Sequence, residues 1–318
     1  MLDILAITGP IYLTILIGAT AVHVGLFKKA DMLPLGKFVL YLALPCLIFN
    51  ALSQRDFQQI LNLTYLSSYA TGTLLVIGLG LLWARCVTGL PTVASIYVAM
   101  GMSCPNSGFV GFPVLLLTLP MAAPTAFALN LLAENLLVIS MLLLMAETAA
   151  HAGAERRHIF GQLLRRLVFN PLILAIIAGG IAAWCQWRPP EPISRTITLF
   201  AQASIALSLL VIGGTLVGLP LKGMQRQVIP IMLGKLIVHP LAVFAALRLY
   251  TALGIGHLST ELQQAMVLLA AMPTMSIYPI LAQRHGLDGV SAAALLATTL
   301  GSFFTLNILI WLIHTGWI

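Results

Sequence analysis

The sequence predicts an all-α membrane protein of ten transmembrane helices, built as two inverted five-helix repeats with crossed, broken helices 4 and 9. Three observations predict it. Hydrophobic residues make up 60% of the 318 and charged residues only 8%, with a mean hydropathy of +1.01, whereas a soluble domain carries about a quarter charged residues. Apolar segments of membrane-spanning length follow one another almost without pause. Two of them are interrupted by Pro and Gly at matching places in the two halves of the chain.

The spans read as roughly 4–27, 33–53, 63–84, 92–119, 125–147, 170–187, 195–218, 228–250, 261–283 and 289–313. Asp3 precedes the first and Lys28-Lys29 follow it, the reverse of a secretory charge order, so this segment reads as a span. Pro45 should bend the second span. Gly213-Gly214 sits at a comparable place in the seventh, either as a surface for close helix packing or as a hinge.

With the N-terminus outside, the inner connections hold eleven Lys and Arg, including Lys28, Lys29, Arg156, Arg165, Lys222 and Arg284. The outer ones hold four, Arg55, Arg188, Arg195 and Arg248. This positive-inside bias puts both termini outside, which for a bacterial inner membrane is the periplasm. It also accounts for the net charge of +7 without a nucleic-acid partner. The longest and most basic connection, 148–169, reads as a cytoplasmic linker between a first repeat at 1–147 and a second at 170–318. Five spans per half is an odd number, so the halves must point in opposite directions.

Span four is broken at 103–113, Ser103-Cys104-Pro105-Asn106-Ser107-Gly108-Phe109-Val110-Gly111-Phe112-Pro113, and span nine at 272–279, Met272-Pro273-Thr274-Met275-Ser276-Ile277-Tyr278-Pro279. Proline removes helix donors and glycine loosens the turn. Backbone opened at membrane depth is tolerated only where it is buried in protein or lines a cavity, and matched breaks mark a transporter's midplane site. The substrate-binding candidates are therefore Pro105, Asn106, Ser107, Gly108, Asn130, Pro273, Thr274, Met275 and Ser276. A carboxylate resting on half-helix N-termini is the contact such breaks offer.

Few ionisable groups lie within the spans, where each is costly. Glu134 is mid-span and too short to reach the interface, so it must face a partner, face a cavity or be protonated. Lys235 either snorkels to the cytoplasm or supplies the counter-charge to a half-helix end. Asn130 shares a face with Glu134 by four-residue spacing, and both Asn130 and Asn135 read equally as packing amides or as ligands. His239, beside Pro240, reads as a structural histidine or a proton relay. Glu134, Lys235, Asn135 and His239 are thus the candidates for ion or proton coupling or for dipole balance. Cys46, Cys86, Cys104 and Cys185 show no paired spacing and read as small buried apolar residues, with Cys104 set apart by its place beside the first break. No Asp lies inside a span and no His-Glu-x-x-His occurs, so neither catalytic residues nor a metal site are expected, and no soluble sensor output domain fits between the spans.

The run Asn106-Ser107-Gly108-Phe109-Val110-Gly111-Phe112-Pro113 resembles the Asn-x-Gly-Phe-x-Gly-x-Pro signature of the auxin efflux carrier family. Ala271-Met272-Pro273 through Pro279, followed by Ala282-Gln283-Arg284-His285-Gly286, is similar to that family's second crossover, and the likeness covers essentially the whole chain. The family holds the plant auxin carriers and bacterial permeases for malonate and related carboxylates. The resemblance implies a fold like that of sodium/proton antiporters and bile-acid symporters, in which a scaffold domain and a crossover domain move as an elevator. It implies that Asn106, and with it Asn130, fall where the family's substrate amides sit. Span three departs from the auxin carriers, with Ser67, Ser68, Thr71 and Thr73 but no Asp, which argues against auxin itself. The expected activity is secondary or facilitative transport of mono- and dicarboxylates such as malonate or malate, by efflux or with proton assistance. A sodium-coupled symporter of the bile-acid type is the alternative. No cofactor is expected beyond a coupling ion, H+ rather than Na+. The expected partners are a small organic anion and the lipid bilayer, with a homodimer left open.

Overall fold

The computed structural model describes residues 2–54, 62–150, 161, 164–165, 168–219 and 225–316. Arg55, Arg156, Arg157, Arg166 and Lys222 of the charge pattern, and most of the 148–169 linker, lie outside the described residues, as does the side chain of Asp3. Among the described residues every regular element is helical: α1 (Leu2–His23), α2 (Lys29–Leu52), α3 (Leu63–Val87), α4 (Thr92–Ser103), α5 (Ser107–Thr118), α6 (Ala123–Ala150), α7 (Pro171–Trp184), α8 (Glu191–Leu216), α9 (Arg226–Ala252), α10 (Thr260–Ala270), α11 (Tyr278–Gln283) and α12 (Asp288–His314). Six of them, α2, α3, α6, α8, α9 and α12, are long and apolar enough to cross a membrane.

Local chemistry sets the boundaries. Asn62 caps α3 by accepting from the Tyr65 amide at 2.9 Å, and Asn170 caps α7 by accepting from the Leu172 amide at 2.9 Å, with Pro171 in the first turn. The first helix stops at His23 and not near 27, because Gly25 turns into the left-handed region at φ +81°. Pro45 and Pro240 each follow a widened π turn, Val39–Ala43 and Gly234–Val238, in place of a sharp break. A third π turn, Ala133–Ile139, carries Glu134. Such bulges re-aim the side chains they hold.

Packing separates two helix groups. Helices α1, α2, α7 and α8 pack on one another, while α3, α4, α6 and α9–α12 form the other group. Glycine lets helices touch in both. At Gly213 a Cβ would run into the Ile15 carbonyl of α1, and at Gly18 into the Leu210 carbonyl of α8. At Gly72 of α3 a Cβ would strike the Val243 backbone of α9. Apolar burial does not drive helices together in lipid, so close approach through small residues takes its place. The helix runs on unbroken through Gly213-Gly214, so packing explains that pair. Outer faces carry exposed Leu13, Leu16, Ile17, Phe304 and Ile308. Cys86 and Cys185 are also exposed, which corrects their reading as buried residues; Cys104 is buried and Cys46 partly so, and all four are free thiols.

Candidate functional site

The first break lies between α4 and α5, and the second between α10 and α11. They meet back to back. Pro105 and Thr274 form an antiparallel bridge, flanked by the Asn106 amide donating to the Pro273 carbonyl at 2.7 Å and the Met275 amide donating to the Cys104 carbonyl at 3.0 Å. Thr274 Oγ1 donates to the Gly101 carbonyl at 3.0 Å, and the Thr274 amide donates to Thr298 Oγ1 of α12 at 3.2 Å. Cys104 and Thr274 are wholly buried. Each unpaired backbone group here would cost several kcal/mol, so each break supplies the partners the other has lost.

Two charged side chains flank this crossing on opposite sides of the dipole problem. Glu134 is 4% exposed, and its Oε1 accepts from Ser107 Oγ at 2.6 Å, from Tyr69 OH at 3.2 Å and from Asn130 Nδ2. Asn130 Nδ2 also reaches Ser107 Oγ at 3.1 Å. Ser107 opens α5, so the carboxylate sits at the positive end of that half-helix. Lys235 is wholly buried and donates to the Ala270 carbonyl at 2.5 Å, at the negative end of α10. This rules out the snorkelling alternative. Lys235 Nζ also meets His239 Nδ1 at 2.9 Å, while His239 Nε2 meets Thr73 Oγ1 at 3.1 Å. With Lys235 as an ammonium, which can only donate, His239 Nδ1 accepts and Nε2–H faces Thr73. The Tyr69 and His239 rings stand edge to face, 6.0 Å apart, between the two clusters. Glu134 and Lys235 form no ion pair with each other; each is satisfied by its own partners.

A cavity of about 690 Å³ opens beside the crossing. From the first break it takes Pro105, Asn106, Ser107, Gly108 and Phe109, and from the second Met275, Ser276 and Ile277. Glu134 and Asn135 of α6 form one wall, while Leu40 and Tyr41 of α2 and Asn170–Leu172 of the α7 start form the facing one. The cavity therefore lies between the two helix groups. The two groups touch where Asn170 Nδ2 donates to Asn135 Oδ1 at 3.3 Å. Asn106 is 3% exposed, and its Nδ2 has no hydrogen-bond partner. A buried donor left unpaired in a cavity wall costs about 1–3 kcal/mol, and calls for an acceptor that the protein itself does not provide.

Eight of the sequence candidates thus line the cavity: Pro105, Asn106, Ser107, Gly108, Met275, Ser276, Glu134 and Asn135. Five stand behind it. Pro273 and Thr274 knit the crossing, Asn130 holds Glu134 in place, and Lys235 and His239 brace the α10 end. Tyr41, Tyr69, Arg165 and Asn170 were not singled out by sequence. Asn170-Pro171 carried a readable helix-start signal; nothing distinguished the other three.

The chain matches the family described as membrane transport protein over residues 6–311. It is 30% identical over 287 residues, 89% of this chain and 87% of the relative, to a Rhizobium meliloti (strain 1021) protein named "Putative malonate transporter". It is 25% identical over 277 residues, 86% of each chain, to an "Uncharacterized transporter" of Methanothermobacter thermautotrophicus (strain Delta H). The chain belongs to the membrane transport protein family, that of the auxin efflux carriers, and is a multi-pass membrane transporter rather than an enzyme.

Proposed function

We propose that the protein carries small organic anions, mono- or dicarboxylates such as malonate, across a bacterial inner membrane by an elevator-type alternation of its two helix groups. Counting α4/α5 and α10/α11 as single broken spans gives ten among the described residues, with the breaks fourth and ninth in order. Two halves of five are then inverted, and both termini lie on the outer side by the charge bias. The antiparallel bridge between the two breaks supports this reading, as does a cavity lying between the helix groups.

One observation carries the choice of an anion. Asn106, whose buried amide nitrogen is unpaired, lines the cavity beside the first turn of α5, whose amides have no helical acceptor. A carboxylate satisfies both at once, and an amide donor with a helix N-terminus favours negative charge. We assign to Glu134, in the cavity wall, the exchange of a proton as the cavity empties and fills. Sodium coupling has less support: three donors already occupy Glu134 Oε1, and an ammonium sits on the Ala270 carbonyl, where a cation would otherwise find oxygen. Moving one charge through 100 mV is worth about 2.3 kcal/mol, so an inside-negative potential drives a dianion outward with roughly twice that.

The test is flux of radiolabelled malonate through purified protein in liposomes. Wild-type protein should move malonate, and Asn106→Ala should move it about 10–100-fold more slowly. Normal flux through the folded Asn106→Ala protein would overturn the site.

A further inference from the structure

We infer that Arg165 is the second anion contact of the cavity and sets a preference for dicarboxylates over monocarboxylates, a refinement that rests on the carrier reading above. Arg165 lines the same cavity as Asn106, Ser107 and Ser276, on the rim it shares with Phe169 and Asn170. It is exposed, and its own carbonyl accepts from the Phe169 amide at 3.1 Å. Its guanidinium pairs with no carboxylate among the described residues.

The other charges of the site are already committed. Glu134 faces Ser107, Tyr69 and Asn130, and Lys235 lies outside the wall, turned to Ala270 and His239. Among the described lining residues Arg165 is therefore the cation left for a ligand. The inner end of the cavity offers the Asn106 amide and the first turn of α5, whose helix charge of about half a unit Glu134 already faces, so it holds one carboxylate at most. Between the two ends the walls are largely apolar, with Leu40, Leu131, Ile139, Leu143 and Leu172. A second carboxylate left against such walls would be desolvated without compensation. Arg165 removes that cost, because its planar fork matches a carboxylate with two parallel hydrogen bonds.

Malonate and monomethyl malonate share one carbon body and differ by one charge, so together they isolate this contact. KM for each is measured in proteoliposomes, at a pH where both malonate carboxyls are ionised, for wild type, Arg165→Gln, Arg165→Lys and Arg165→Glu. We expect wild type to favour malonate, and Arg165→Gln to raise the malonate KM roughly ten-fold or more, the loss expected of one charge-assisted contact. The monoester KM should move far less. Arg165→Lys should retain part of the preference and Arg165→Glu should reverse it. Arg165 is exposed, so all variants should melt with wild type. A wild type without preference, or an Arg165→Gln protein in which both KM values move together or neither moves, overturns the assignment and leaves the carrier reading standing. Wild-type vesicles that move neither probe refute the carrier reading, and the assignment with it.

Discussion

The two broken segments use one backbone device to opposite ends. Around the first, the chain leaves a donor spare: Asn106 Nδ2 is buried and unpaired, and the α5 half-helix behind it runs from Ser107 to Thr118. Around the second, the chain leaves little spare. Thr274 is bonded through both its amide and its hydroxyl, the Ala270 carbonyl is held by Lys235, and the helix that follows is a short turn from Tyr278 to Gln283. The difference teaches that a break at membrane depth is not in itself a binding site. On the proposed reading, what makes it one is the residue whose hydrogen-bonding capacity stays unmet.

The contrast can be broken most forcefully at Lys235. Lys235→Met leaves a carbonyl and an imidazole nitrogen unpaired in the interior, at about 1–2 kcal/mol each. We expect the melting temperature in detergent to fall by about 5 °C or more; a variant that melts with wild type would show that the second break needs no cap. Asn106→Ala should do the reverse. Its amide nitrogen has no protein partner to lose, so melting should hold steady while malonate flux falls about 10–100-fold, the range for losing a hydrogen bond to a charged ligand. A large loss of stability with intact flux would make Asn106 structural and erase the contrast.

Glu134→Gln sharpens it further. The amide oxygen can still accept from Ser107 and Tyr69, so folding should cost no more than about 1 kcal/mol. The group proposed to exchange the proton is gone, however, so flux should lose its pH dependence; an unchanged pH profile would confine Glu134 to holding α5 in place. The smallest effect is expected at Thr274→Val, which gives up the hydroxyl bond to Gly101 and about 1 kcal/mol, seen as a melting shift of a few degrees.

Much of this architecture was legible in the residues alone. The apolar runs and their Pro and Gly punctuation placed both breaks to within a few residues, because a break is a local property of the chain. The Asn130–Glu134 pairing was legible for the same reason, since four-residue spacing fixes a shared helix face. What could not be read were pairings across the fold. Lys235 reaches a carbonyl on another helix, and no feature of its own span distinguishes that from an escape to the interface. Asn130 and Asn106 look alike as mid-membrane amides, yet one is saturated by Ser107, Tyr69 and Glu134 and the other by nothing. Local spacing gives a residue its face; only the neighbouring helices decide whether that face is already taken. The π turns were hidden too, since Pro45 announces a bend but not the widened turn that absorbs it.

The bridge between Pro105 and Thr274 has a mechanical consequence. Shared main-chain bonds weld two distant stretches of polypeptide into a single splice, so neither can slide without tearing the other open in a place where water is scarce. The proposed stroke must then carry the splice whole, as cargo bay and floor together. The slip plane of that stroke would run through weaker seams, such as the amide handshake between Asn135 and Asn170 and the Thr8–Asn307 and Tyr12–Ser302 contacts of α1 with α12.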